Sequence, residues 1–240
     1  MRLNPQASAA RVAEKLDDLS TPLEAVRATL RDQGRANRQL GGHDAVCRYA
    51  LPFLRACDSN PLRAVELGVG QGDILRLIVD DARRQGKPIA ALALDRNPHV
   101  LTCSRHWCAA YPEISFVGGD VTALPLQAGA FELVMLPTLL HHLAPDEAVA
   151  LLQGAARLSR GLVVVSDLVR CRGAALLVPF FAPLYRMHPV TVHDLRISLR
   201  CAYTPSELSA LAKEAGLRDW QVHQDPWLRM TLVYRGQSSP

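Results

Sequence analysis

The chain has 240 residues, 49% of them hydrophobic and 21% charged, a composition that buries a sizeable core. Its 27 basic and 23 acidic residues leave a net charge of +4 with no Lys/Arg run, which excludes the charge patterning of a nucleic-acid-binding surface. MRLNPQASAARVAEKLDDL lacks the apolar segment of a signal peptide, no apolar run reaches membrane-spanning length, and the six cysteines include no C-x-x-C pair, so a reduced cytoplasmic protein is expected.

In chain order, residues 1–56 read as an N-terminal helical arm and 57–240 as the main domain. Within the arm, residues 21–56 are helical. Ser20-Thr21-Pro22 with Glu24 forms a start signal, and Gly41-Gly42 breaks the run. From Arg63 strands and helices alternate. RAVEL is a buried strand and GDILRLIVDDARRQG a helix. IAALALD is a strand and PHVLTCSRHWCAAY a helix. ISFVGGD is a short strand, FELVMLP a strand, APDEAVALLQGAARL a helix and GLVVVSDL a strand. Apolar strands joined by helices of this length imply βαβ crossovers and a parallel sheet covered on both faces.

After Asp167 the alternation stops. Residues 168–204 form an insertion, expected to be a lid over the acceptor site. TPSELSALAKEAGL reads as a helix capped by Thr204, with Pro205 at its first position and Glu207 completing a capping box. DWQVHQ and LRMTLVYR form a closing pair of strands.

The candidate site begins at VELGVGQGD, where Gly68, Gly70 and Gly72 alternate between a strand and a helix. Such a turn presents backbone N–H groups at a helix N-terminus. A dinucleotide fingerprint places Gly or Ala where Asp73 stands, and an acid there repels a pyrophosphate, which disfavours an NAD-dependent oxidoreductase. No Gly-Lys-Ser/Thr follows, so a P-loop is excluded. Three successive strands end in an acid: Glu66, Asp95 and Asp120. Asp95 is placed to accept hydrogen bonds from two ribose hydroxyls. Three such acceptors suit a cofactor with an ammonium, a ribose and an adenine amine.

These motifs resemble those of class I S-adenosylmethionine-dependent methyltransferases. VELGVGQG is similar to the family's first motif, ALALDRNP to its acidic second strand, and FVGGDVTALPLQAGAFELVMLPTLLHHL to its third and fourth motifs. The likeness runs over residues 40–167 and is nearest to the ubiquinone-biosynthesis-type branch that methylates small molecules. More loosely, TVHDLRISLRCAYTPSELSALAKEAGL resembles bacterial methyltransferases of secondary metabolism. The resemblance implies a Rossmann-like α/β fold with a seven-stranded sheet, mostly parallel with an antiparallel C-terminal strand. It also implies methyl transfer from S-adenosylmethionine to a small molecule, with an oxygen of an aromatic, polyketide-like or acyl compound as the expected acceptor. The other reading open at this point is a non-catalytic S-adenosylmethionine-binding protein of the same fold.

At matching positions the resemblance implies that Glu66 binds the amino group and that the Gly68-Gly70-Gly72 turn lets the backbone approach the methionine part. Asp95 would hold the ribose with Arg96 flanking the adenine. Asp120 would accept the adenine amine, and the Val121 amide would contact the ring. Leu136 and Pro137 would form the floor below the sulfonium. An Asn-Pro-Pro-Tyr motif is absent after the fourth strand, where LPTLL stands, and so is an Asp-Asp metal pair. Methylation of nucleic-acid adenine or protein glutamine, magnesium-dependent catechol chemistry and a bound metal are therefore not expected.

Methyl transfer needs nucleophile, methyl and sulfur held in line. A hydroxyl or carboxyl acceptor must be ionised as it attacks, a task suited to histidine. His141 and His142 follow the fourth strand. His142 is the first candidate for a base or acceptor-orienting residue, with packing or helix capping the other reading for both. His193 beside Asp194 is a further candidate, and His43 either closes over the cofactor or starts a helix. In the insertion, an apolar block from Ala174 to Tyr185 accompanies Arg170, Arg172, Arg186, Arg196 and Arg200. That combination suits an amphipathic acceptor with an acidic end, or else a helical hairpin with solvated arginines. Pro179 and Pro183 interrupt any long membrane-surface helix. Arg35 or Arg38 either pairs with the methionine carboxylate or belongs to a solvated face.

Overall fold

The apolar runs that read as strands do form one sheet in the computed structural model, which describes residues 14–121 and 126–236. The stretch read for a signal peptide lies, through residue 13, outside the described residues. After a 3₁₀ turn at Lys15–Asp17 come α1 (Leu23–Gln39), α2 (Gly42–Ala56), β1 (Leu62–Leu67), α3 (Asp73–Arg84), β2 (Ile89–Asp95), α4 (Pro98–Trp107), β3 (Ile114–Gly118) and β4 (Phe131–Pro137). A 3₁₀ turn at Leu140–His142 leads into α5 (Pro145–Leu158), β5 (Ser159–Leu168), α6 (Arg172–Phe181), α7 (Pro189–Cys201), α8 (Pro205–Glu214), β6 (Trp220–Asp225) and β7 (Arg229–Arg235). The fourth helix is shorter than the sequence suggests, because Tyr111 N turns back to Cys108 O at 2.8 Å and makes CAAY a turn. The insertion is a helical pair, α6 and α7. Among the described residues no helix is long and apolar enough to cross a membrane.

The seven strands run in the order β3-β2-β1-β4-β5-β7-β6. The first five are parallel, and β7 inserts antiparallel between β5 and β6. The order reverses between β1 and β4, and an open α/β sheet binds its ligand outside the carboxyl ends of the strands at such a switch point. The acids and the glycine turn stand there.

Side chains alternate across each strand, so each strand feeds two layers. On one face Ala64, Leu133, Met135 and Val164 pack beneath Val26, Leu30, Leu54 and Ile78, so α1 and α2 share one apolar cluster with α3 and the sheet. On the other, Val65, Leu67, Val163 and Leu136 pack beneath α5 and α8. This placement corrects the expectation for Leu136. Its side chain is fully buried in the α5–α8 layer, and only its neighbour Pro137 reaches the crevice.

Gly72 serves this architecture. It stands at φ +70° where the turn enters α3, and a Cβ there would lie 2.8 Å from Cys108 Sγ. Gly72→Ala is expected to cost about 1–2 kcal/mol through the left-handed backbone alone. Calorimetry should then show a melting temperature lower by roughly 2–8 °C.

Candidate active site

The glycine turn is built by short bonds to the neighbouring strand. Gly68 N and Val69 N both donate to Leu94 O, at 2.8 and 2.9 Å, and Ser104 Oγ donates to Gly70 O. Gly68 and Gly70 adopt φ of +77° and +51°, and a Cβ on Gly70 would meet nothing within 4 Å. Its backbone therefore faces open space, as close approach of a ligand requires.

Two cavities meet at this turn. The first, about 420 Å³, is lined by Glu66, Asp73, His141, Arg229 and apolar residues of the insertion. The second, about 500 Å³, is lined by Asp95, Arg96, Asp120 and Val121. Gly68, Gly70, Pro137, Thr138 and His142 line both. Thr138, a β-branched residue at φ +49°, is held in that strained conformation by its N–H bond to Ser166 O at 2.6 Å.

Glu66 is buried, and its Oε2 has no hydrogen-bond partner among the described residues. Burial first, then the nearby Asp73 carboxylate, push its carboxyl well above the usual range. Asp95 is also raised by burial, against the backbone N–H groups of Asn97 and Gly70 that hold it. Gly72, as described, turns the chain into α3 and lines neither cavity.

His141 and His142 sit differently. His141 is buried, with Nδ1 2.6 Å from Asp167 Oδ1 and its backbone N–H donated to Asp167 Oδ2 at 3.0 Å. Burial alone opposes its charge, yet Asp167 and Glu14 raise it to about 10, so in this state it is a cation rather than a base. His142 is partly exposed to both cavities, and its Nδ1 lies 2.7 Å from Asp17 Oδ2. Asp17 also pairs with Arg96 at 3.0 Å. His193 lines neither cavity. Its ring is 2.9 Å from Asp194 Oδ1 and partly open to solvent, outside both cavities. His43 caps the turn from outside, 2.7 Å from Asp73 Oδ2.

The arginines correct a second expectation. None of the five insertion arginines lines either cavity, and Arg170 pairs with Glu207 instead. Arg35 pairs with Asp32, and with Arg38 it faces a separate surface hollow. Among the described residues the arginine that does reach the first cavity is Arg229, at the start of β7. It is 6% exposed and donates to Leu40 O at 2.9 Å and Asn37 Oδ1 at 3.0 Å. Burial lowers its pKa, opposed by more distant aspartates. In the sequence it is one of two arginines that bound a mostly apolar strand, which does not single it out. Glu14 was missed as well, since nothing local marks it.

Residues 64–161 match the methyltransferase domain family. No curated protein matches by sequence. A chain of the complex between the Haloferax volcanii Trm112 methyltransferase activator and a methyltransferase is similar over 94% of this chain and 99% of that one, with 18% identity and a TM-score of 0.61. A SAM-dependent methyltransferase from Aquifex aeolicus aligns with 89% of this chain and 98% of its own, at 11% identity and a TM-score of 0.62. PigF with SAH covers 79% of this chain and 55% of its own, at 18% identity and a TM-score of 0.53. The sheet is the methyltransferase fold. Together the domain match over residues 64–161 and the fold support the class I S-adenosylmethionine-dependent methyltransferase superfamily, with S-adenosylmethionine as the cofactor. The matches do not single out the ubiquinone-biosynthesis-type branch.

The residues fit that cofactor: a buried carboxylate with one unpaired oxygen for an ammonium, a bare backbone at Gly70, and acids in the second cavity for hydroxyl and amine donors. A carboxyl raised by burial costs stability above its unfolded value of 4.5, and the cost grows with pH until the folded group ionises. Glu66→Gln is therefore expected to melt higher than the parent at neutral pH without cofactor, the gain vanishing in acid. The same variant should bind S-adenosylhomocysteine roughly tenfold or more weakly, because a charged hydrogen bond is lost. Thermal scans over pH and calorimetric titration check both halves.

Proposed function

We propose that the chain transfers the methyl group of S-adenosylmethionine to an oxygen of an amphipathic small molecule with an acidic end, of aromatic, polyketide-like or acyl type. The observation that carries this reading is the meeting of two chemically different cavities at Gly68, Pro137, Thr138 and His142. The acid-lined second cavity suits the nucleoside half of the cofactor. The first takes the methionine part at Glu66 and the acceptor beneath the insertion, where Ala174, Phe181, Met187, Leu195 and Leu199 supply apolar surface.

When bound, the cofactor supplies an electrophilic methyl group on a sulfonium. Asp95 and Asp120 accept from ribose and adenine, with Arg96 and the Val121 amide beside the ring. Glu66 takes the ammonium, and Pro137 forms the floor. His142, held by Asp17, stands at the join of the two cavities and orients the acceptor for in-line attack. Arg229, a buried guanidinium, pairs with the acceptor's acidic end and so selects for it.

Asp95→Ala should weaken S-adenosylhomocysteine binding by roughly 1.5–3 kcal/mol in calorimetry. NAD, titrated in parallel, should give no heat. Unchanged affinity in the variant would sink the ribose assignment, and tight binding with no turnover on a panel of phenols and carboxylates would favour a non-catalytic binder. Arg229→Met is expected to raise KM for acidic acceptors by roughly tenfold or more while leaving KM for their neutral esters unchanged. Equal effects on both acceptor classes would remove Arg229 from acceptor recognition.

A further inference from the structure

In the first cavity, beside its join with the second, Glu14 converges with the adjacent His141 and His142. Each of Glu14, His141 and His142 offers one ligand atom, and these atoms lie within 4.8 Å of one another. We propose that this trio is a binding site for a divalent transition-metal ion of the zinc class, facing the acceptor end of the cavity.

The spacing fits an ion. His141 Nε2 stands 3.5 Å from Glu14 Oε1, and His142 Nε2 stands 3.8 Å from Glu14 Oε2. Four-coordinate zinc with nitrogen and oxygen ligands at ordinary bond lengths holds its donors roughly 3.4 Å apart. The 3₁₀ turn Leu140–His142 allows adjacent histidines to face one point, with ring centroids 4.2 Å apart and planes inclined by 34°.

Each ligand also has an outer partner. Asp167 lies 2.6 Å from His141 Nδ1, and Asp17 lies 2.7 Å from His142 Nδ1. A carboxylate accepting from Nδ1–H fixes the tautomer that presents the Nε2 lone pair inward, the usual support of a metal-bound imidazole. Ser198 Oγ donates to Glu14 Oε1 at 2.5 Å, steadying the third ligand. Both rings and the carboxylate are thus aimed by groups that an acid–base pair alone does not need.

The charge balance agrees. Glu14, Asp17 and Asp167 bring three carboxylates around two imidazoles. A divalent ion bound there is offset by those carboxylates, and each imidazole that ligates it does so through an unprotonated nitrogen. Two nitrogens and one oxygen select zinc, cobalt, nickel or iron over magnesium. All three residues line the first cavity, so a coordination position opens toward the acceptor. A hydroxyl bound there is held and acidified by the ion. That task rests on the methyl-transfer reading above, whereas the metal binding does not.

The test is a Co²⁺ titration of the EDTA-stripped full chain, followed by its visible absorption, with Zn²⁺ as competitor and Mg²⁺ as control. The expected result is saturable binding of one Co²⁺, displaced by Zn²⁺ and unaffected by Mg²⁺. His142→Ala, which alters the most exposed of the three residues, and Glu14→Gln should each lose more than about 100-fold in affinity, and Asp17→Asn about 10–100-fold. S-adenosylhomocysteine titration and circular dichroism on each variant report whether the fold and the cofactor cradle survive. Absence of saturable Co²⁺ binding by the parent chain overturns the site, and so does unchanged affinity in both His142→Ala and Glu14→Gln. Methyl transfer is read separately. A chain that binds Co²⁺ but methylates nothing overturns the proposed function alone, and one that methylates fully after EDTA while binding no Co²⁺ overturns the metal site alone.

Discussion

The site is organised around a buried carboxylate with one oxygen that the described residues leave without a partner. Glu66, on β1, is buried and lines the first cavity, with Oε2 unsatisfied and Asp73 nearby. A group so placed destabilises the empty protein. It persists because the strand order reverses beside it, and the glycine turn above it keeps the backbone bare. In the proposed cofactor complex an ammonium at Glu66 offsets the burial, which couples cofactor binding and folding stability through one side chain.

A second constraint governs the insertion. The insertion is tied down by two buried aspartates rather than by apolar contact alone. Asp194 of α7 accepts the backbone N–H groups of Lys15 and Leu16 at 2.8 and 3.0 Å. Asp32 of α1 accepts from His188 N and Thr191 Oγ1 at 2.7 and 2.8 Å. These bonds bring Glu14 and Asp17 onto the two histidines while α6 keeps an exposed apolar face at Leu176 and Phe180. The covering elements are therefore registered to the chemistry by charge-assisted hydrogen bonds, which fix geometry more narrowly than apolar packing does.

Much of this was legible from local signals. Strands buried on both faces leave unbroken apolar runs, and the limits of β2 and β4 fall where those runs end. The Thr204–Glu207 capping box formed as its four-residue pattern requires. The glycine turn and its three acids were visible because one short segment each encodes them. Leu136 was misplaced because proximity to the switch point says nothing of which sheet face a strand residue takes. Arg229, Glu14 and the partners of His142 were not legible for a different reason. The Asp17–His142 contact joins residues 125 apart, and Arg229 meets Asn37 across 192. Such pairs are created by the fold's closure and leave no periodicity behind.

Asp73 shows how a local residue gains its meaning from a distant one. At the N-terminus of a helix an acid is favourable to the helix dipole but hostile to an anionic ligand. Here it is held by His43 at 2.7 Å and lines the first cavity beside Glu66. A pyrophosphate at this turn would meet two carboxylates where a dinucleotide-binding domain presents only backbone N–H groups. A cationic amine meets the same pair as acceptors. The choice between the two cofactor classes is thus made by the sign of charge at one helix start, and the fold common to both leaves it open.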